Sequence, residues 1–242
     1  MYRNNSSVSW YWFLGYVLLV SLLCRLGFWQ LDRAEQKQES LMQQQQAMQA
    51  APVNINQISK SDLQRYQQVE ISGHFDTEHS FLLDNQILDA KAGYFVFTPF
   101  IYDVSKPAIL INRGWIALSQ DRSQLPNIKT SANKMTLKGR INQFAKPGLE
   151  LDNAETPTAG WPAVVQIMKA SVLAVNLGYE IEDYQLELAP DQPDGYKRQW
   201  QLAVAIPPEK HRAYAVQWFG LAVTLTVLCI WLVFRNKRER SA

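Results

Sequence analysis

Cysteine is almost absent from this chain. Only Cys24 and Cys229 occur in 242 residues, and both lie inside long apolar runs. The segment between those runs therefore has no disulfide, and no C-x-x-C pair is available for redox chemistry or zinc. Charge of either sign is nearly balanced, with a formal net charge of +2. That balance excludes the concentrated basic face on which nucleic-acid binding depends. The sequence also lacks a G-x-S-x-G elbow, a P-loop and a G-x-G-x-x-G fingerprint. Hydrolase, NTPase and dinucleotide sites built on those motifs are excluded, and no other catalytic constellation replaces them.

What the chain does have is apolar length near both ends. The first run spans Val8 to Leu23 and continues through Gly27, Phe28 and Trp29. Trp10, Tyr11 and Trp12 mark one end of it and Phe28 with Trp29 the other, which are aromatic belts at bilayer spacing. The following Cys24-Arg25-Leu26-Gly27 lacks the small-x-small pattern of a signal-peptidase site. Leu22 and Leu23 before Cys24 also argue against a lipoprotein site, so an uncleaved anchor is expected. The second run, Tyr214 to Phe234, carries no charge over 21 residues. At roughly 1.5 Å per residue it measures about 31 Å, enough to cross a bilayer.

Lysine and arginine near the ends set the orientation. The tail "RNKRER" holds four of them in six residues and should remain cytoplasmic. Arg25, Arg33 and Lys37 after the first span pull the other way, but less densely. Both termini are then cytoplasmic, and in a bacterium the middle of the chain lies in the periplasm. The expected division is residues 8–29 as the first span, 30–210 as the periplasmic domain, 211–234 as the second span and 235–242 as a basic tail. The localisation that follows is the bacterial inner membrane.

Residues 30–50 contain eight glutamines and neither glycine nor proline. Good helix formers dominate, so the first span should continue as a polar helix until Pro52 ends it. A short helix capped by Ser59 or Ser61 can follow before "DLQRY". From residue 66 the pattern changes to period two. The runs "QVEISGHF", "SFLLDNQI", "GYFVFTPFIY", "AILINRGWIAL" and "MTLKGRINQF" read as strands, because β-branched and aromatic residues alternate between turn signals. "KASVLAVNLG" reads as a helix closed by Gly178, and "YQLELAP" and "QLAVAIP" as two more strands. Pro207-Pro208 stops the last of these and opens the second span. The fold class expected is a membrane-anchored α+β protein. Two transmembrane helices flank a domain with an antiparallel sheet or small β-barrel and a few helices.

Two places carry ligand-type residues. "GHFDTEHS" contains His74, Asp76, Glu78 and His79, either a metal cluster or, more simply, the polar tip of a hairpin. "EKHRAYAVQWFG" places His211 between Lys210 and Arg212 at the start of the second span. Basic and aromatic residues at a membrane boundary commonly act as anchors. A neutral imidazole there can also ligate a metal. Tyr214, Ala215 and Trp218 follow on the same helical face, at i+3, i+4 and i+7, as one wall for a flat ligand. Two antiparallel spans bring Arg25 to Gln30 to the depth of His211 to Tyr214. Arg25 lies inside an apolar run, where a charge is costly unless it is paired. Haem, with iron on His211 and propionates near Arg25 or Arg212, satisfies both helices. An anchor without a ligand remains the alternative.

Three stretches resemble the Surfeit locus protein 1 family of cytochrome c oxidase assembly factors. "LGFWQLDRAEQK", Leu26 to Lys37, is similar to the signature after that family's first span. "GYFVFTPF" followed by "ILINRGWIAL" resembles its central hallmark, with Gly93, Tyr94, Thr98, Pro99, Arg113, Gly114 and Trp115 in order. "HRAYAVQWFG" resembles the motif that opens its second span, although Lys210 and Arg212 stand where asparagine and leucine are expected. The resemblance implies a non-enzymatic role in maturing haem-copper oxidase. It implies haem a as the transient cofactor, His211 as its iron ligand and Trp218 beside it; Tyr214 and Arg25 join them from the helical face and the hairpin depth. The implied partners are the oxidase catalytic subunit, the haem a synthesis enzyme and membrane lipid. A scaffold that holds oxidase subunits without binding haem is the competing expectation.

The orientation has a direct test. Reporter fusions placed between residues 100 and 130 should be active only in a periplasm-reporting format. Fusions after Arg240 should be active only in a cytoplasmic one. Reversed activities would overturn the orientation.

Overall fold

The structure, a computed structural model, describes residues 6–119, 121, 124–145, 154–200 and 206–241. It forms two compact units. One is built from the first helix up to Gln43 and from the last helix; the other begins at Gln44 and contains the strands. The first helix, α1 (Ser6–Gln49), is continuous over 44 residues. Its apolar and glutamine-rich parts join without a break, as the lack of glycine and proline over 30–50 predicts. It ends just before Pro52.

The second unit is a β domain. Its elements are β1 (Val53–Asn54), β2 (Gln68–Phe75), β3 (Phe81–Leu88), β4 (Lys91–Ile101), β5 (Ala108–Ala117), β6 (Met135–Gln143), β7 (Ala163–Val165), α2 (Ala170–Leu177) and β8 (Ile181–Leu188). Strands β2, β6, β8, β5 and β4 are hydrogen-bonded in that order. β2 then meets β4 through His74↔Ile101 and Phe75↔Phe100, which closes a five-stranded barrel. β3 and β7 extend the sheet from β4, and β1 covers part of the other edge of β2.

Strands β2 to β6 lie within two residues of their expected positions, β8 begins three residues before the expected "YQLELAP", and α2 ends at Gly178 in the left-handed conformation. Three differences have physical reasons. The sheet is not wholly antiparallel: β5 pairs with β8, β3 with β7 and β1 with β2 in parallel. The long connection from β6 to β8, which carries α2, supplies the crossover that the parallel β5–β8 pair requires. β1 and β7 have two and three residues, too few to show a period. Residues 60–62 form a 3-10 turn with Ser59 at its N-cap, yet that side chain makes no capping bond. The strand expected at "QLAVAIP" falls mostly outside the described residues.

Alternation divides the core in two. Val69, Ile71, Phe100, Ile109, Ile111, Leu137, Ile141, Leu186 and Leu188 pack together inside the barrel. Leu110, Phe97, Phe81 and Val165 point the other way and are covered by Leu173 and Leu177 of α2. β5 is therefore buried on both faces, which explains its unbroken apolar run "AILI".

At the end of that run the chain makes a bulge. Val96 faces Gly114 and Phe97 faces Asn112, so Arg113 is the extra residue. The bulge turns the Arg113 side chain inward, where it is 1% exposed. Among the described residues no carboxylate pairs with its guanidinium. Nε donates to the Asp194 carbonyl at 2.7 Å, Nη2 to the Lys129 carbonyl at 2.7 Å, and Nη1 to the Thr130 and Thr98 hydroxyls. The rings of Phe75 and Tyr196 lie 5.1 and 5.3 Å from its centre. Burial pushes the guanidinium below its ordinary pKa, while Tyr196 and Asp194 act in the opposite sense. Gly114 beside it has φ +109°, and a Cβ there would lie 2.7 Å from the Lys197 carbonyl. That carbonyl is held by the Trp115 N–H at 2.8 Å.

The last helix, α3 (Pro208–Ser241), starts at Pro208, where a missing N–H costs nothing. Both helices are long and apolar enough to cross a membrane. Their outward faces carry exposed Trp12, Leu18, Leu22, Phe28, Val223, Val227, Ile230 and Trp231, a surface suited to lipid rather than water. They run antiparallel against each other: Tyr16 donates to Thr226 at 3.0 Å, and the Phe28 and Phe219 rings meet edge to face at 5.2 Å. A Cβ on Gly27 would lie 2.6 Å from the Phe219 ring.

Two glycines with positive φ differ in a useful way. Gly114 is hemmed in, whereas Gly178 has nothing within 4 Å of an added Cβ. Gly178→Ala should cost about 1 kcal/mol from backbone strain alone. Gly114→Ala should cost roughly 3 kcal/mol or more, and Gly114→Glu should lower steady-state protein outright. Thermal unfolding of the detergent-solubilised protein and immunoblotting check the order. Normal levels of Gly114→Glu would show that the bulge tolerates a side chain.

Candidate functional site

His211 is the fourth residue of α3 and is half-buried. Its Nδ1 lies 2.7 Å from Oε1 of Gln30 on α1. The expected common depth of the two helix segments is thus realised by a direct contact. Small residues make it possible. Gln30 stands three residues after Gly27 and four before Ala34, so all three share one face of α1. Ala34 is 2% exposed, and Ala215, four residues after His211, is 1% exposed. With so little side chain at the seam, the backbones approach closely enough for an amide to reach an imidazole.

The other expected site residues are distributed differently. Trp218 follows His211 by seven residues on the same face and is half-buried. Tyr214 flanks that face and is 48% exposed. Ala215 is buried at the seam, so it is not an open part of the wall expected for a flat ligand. Arg25 is exposed and lies about 170° around α1 from the seam of Gly27, Gln30 and Ala34, at roughly 100° per residue. Lys210 and Arg212 are exposed beside His211. Of the basic residues considered for propionates, Arg212 is therefore the neighbour of the imidazole and Arg25 faces the other way.

Gln30 was not singled out from sequence. Its signal was available: a polar amide in the last turn of an apolar run, at the depth an antiparallel hairpin assigns to residue 211. Trp29 and Arg33 next to it form a stacked pair, with the guanidinium 5.7 Å from the ring centroid.

The histidines at 74 and 79 do not form a metal centre. Among the described residues no three His, Cys, Asp or Glu side chains come together as ligands. Asp76 instead caps the β2–β3 turn. Its Oδ1 accepts the N–H groups of Glu78 and His79, and its Oδ2 accepts the Tyr179 hydroxyl at 2.6 Å and lies 2.6 Å from His79 Nδ1. The hairpin reading holds, and the aspartate extends it to the segment just after α2. Burial raises the Asp76 pKa, but the bonds from Tyr179, His79 and the Glu78 N–H outweigh it and hold the carboxyl below its ordinary value. Its own burial, and after it the same contact, push the Tyr179 phenol far up.

Fold and site together define a two-helix membrane protein whose paired helices present a histidine, and whose other unit contains a closed five-stranded barrel. The chain belongs to the SURF1 family, whose model matches residues 17–223. That range begins within α1, ends within α3, and includes Gln30, His211 and Trp218. A SURF1-like protein of Rickettsia conorii is 25% identical over 230 residues, covering 93% of this chain and 90% of the relative. Surfeit locus protein 1 of Arabidopsis thaliana is 31% identical over 256 residues, covering 84% and 72%. Cytochrome oxidase assembly protein SHY1 of Saccharomyces cerevisiae is 30% identical over 95 residues, covering 38% of this chain and 24% of that protein.

Asp76 yields a pH prediction. A carboxyl whose folded pKa is depressed contributes stability above its unfolded value, and that stability is lost as pH falls through the folded one. Asp76→Asn should cost about 2 kcal/mol at neutral pH. It should also flatten the loss of stability below pH ~4, near the ordinary aspartate value. Unfolding midpoints measured across that window check the sign. An unchanged acid slope in the variant would remove Asp76 as the source.

Proposed function

We propose that this protein assists assembly of a haem-copper cytochrome oxidase by holding haem a at the outer end of α3 and passing it to the catalytic subunit. Family membership supports the assembly role, together with the relative whose name is cytochrome oxidase assembly protein. The observation that carries the haem reading is the His211–Gln30 contact. It uses Nδ1 and leaves Nε2, which no described protein group bonds, as the nitrogen for iron. The donor set fits haem as cargo: one imidazole at the edge of an apolar helix pair, Trp218 on the same face, and exposed Lys210 and Arg212 for the carboxylates. With one protein ligand, the bond to the metal would be one that a receiving subunit can replace. In this reading both termini are cytoplasmic, the barrel is periplasmic, and the protein sits in the bacterial inner membrane. The barrel then serves as the surface for oxidase subunits, and the haem a synthesis enzyme supplies the cargo.

One observation favours a scaffold that binds no haem. Ala215 is packed away and Tyr214 is exposed, so at the His211 end the helix pair offers a face rather than an enclosed pocket.

Co-expression with haem a synthesis, followed by Soret absorbance of the purified protein, decides between them. His211→Ala should retain at most about a tenth of the haem while protein level stays near wild type, since the apolar span carries insertion. Trp218→Ala should lose less, because it supplies contact area rather than a coordinate bond. His211→Lys keeps a basic anchor but is a poor ligand. Full haem with an unchanged spectrum in that variant would leave the scaffold.

A further inference from the structure

Gln30 brings to His211 a partner of a particular kind. It is a neutral amide, it comes from the other helix, and it presents its carbonyl oxygen to Nδ1 at 2.7 Å. In a neutral imidazole only one nitrogen carries the proton. With an acceptor on Nδ1 the proton resides there, and Nε2 is left as a lone pair. The opposite amide orientation would put the proton on Nε2 and oppose ligation there.

The amide is held in place by the seam around it. One turn below, Gly27 admits the Phe219 ring to 2.6 Å from where a Cβ would stand. One turn above, Ala34 is nearly fully buried, as is Ala215 on the facing helix. Gln30 therefore has its backbone fixed on both sides by the close approach of α1 and α3, and its reach to His211 is set by that packing.

We propose that Gln30 is the positioning residue of this site: it keeps the proton on His211 Nδ1 and presents Nε2 to the metal of a flat tetrapyrrole. The inference rests on the ligand role proposed for His211 and adds how that role is tuned. Partners on the outer nitrogen of a metal-bound histidine commonly alter affinity by 10–100-fold. A carboxylate there would increase the basicity of the ligand and strengthen the bond to iron. A neutral amide orients the ring without that increase, which suits a cargo that must leave.

Two measurements on the full chain in detergent test it. The first needs no haem. Nitrogen-15 histidine NMR at a pH where imidazole is neutral reports the tautomer, and His211→Ala assigns one signal among the three histidines of the chain. Wild type should show Nδ1–H for His211, Gln30→Leu should move toward the Nε2–H form usual for free imidazole, and Gln30→Glu should restore Nδ1–H. An Nε2–H tautomer in wild type overturns the proposal. The second is titration with hemin. Gln30→Leu should weaken binding roughly tenfold, whereas Gln30→Glu should bind at least as tightly as wild type and release hemin more slowly to apomyoglobin. Unchanged hemin affinity in His211→Ala brings down the ligand reading itself. Affinity lost in His211→Ala but unchanged in Gln30→Leu overturns the positioning role alone.

Discussion

The close approach of α1 and α3 is the constraint on which the candidate site depends. In a bilayer, water does not drive two apolar helices together, so association relies on packing and on polar contacts across the seam. Here glycine and alanine provide the packing, through Gly27, Ala34 and Ala215. Polar contacts lie at two levels, Tyr16 with Thr226 and Gln30 with His211. A larger side chain at Gly27 would meet Phe219 and separate the helices by more than a hydrogen bond can span. The histidine is thus a product of the seam as much as of its own helix.

The barrel is organised by polar groups in a comparable way. Arg113 is a buried cation that ties β5, β4 and the segments around residues 130 and 194 through neutral acceptors. On the outer side of β6 and β8, Arg140 and Asn142 share the two oxygens of Glu187, and Arg140 stacks on Tyr66. Such groups are expensive to bury unless fully bonded, and once bonded they favour one register over its neighbours. A one-residue slip of β6 against β8 would separate Arg140 from Glu187 and place apolar Ile141 opposite a carboxylate.

Period-two alternation located the long strands because each has one face in a core, and Gly178 announced the end of α2. Parallel pairing was hidden, since it depends on where a long connection returns the chain and not on any local pattern. The Gly93–Trp115 hallmark was visible, but its meaning was not. Trp115 sits 2.5 Å from where a Cβ of Gly93 would be, and Arg113 bonds Thr98, so these residues maintain the strand pair they belong to. For the site, depth arithmetic from charge and hydropathy placed residues 25–30 beside 211–214. It could not choose among them, because helical phase separates Arg25 from Gln30 by about 140° at roughly 100° per residue. Arg25 drew attention as a charge, yet the neutral Gln30 is the residue in contact.

The barrel closes over a very short seam. β2 and β6 share six registered pairs, whereas β2 and β4 share two, His74↔Ile101 and Phe75↔Phe100. Cooperative units in proteins open where the fewest bonds must break together. By that measure the β2–β4 junction is the natural parting line of the cylinder, and its amides would exchange with solvent before those of the β4–β5 ladder. Phe75, at the junction, lies under the Arg113 guanidinium and against Phe100 at 5.1 Å. The cation and the ring pair act as a clasp at the place where backbone pairing is thinnest.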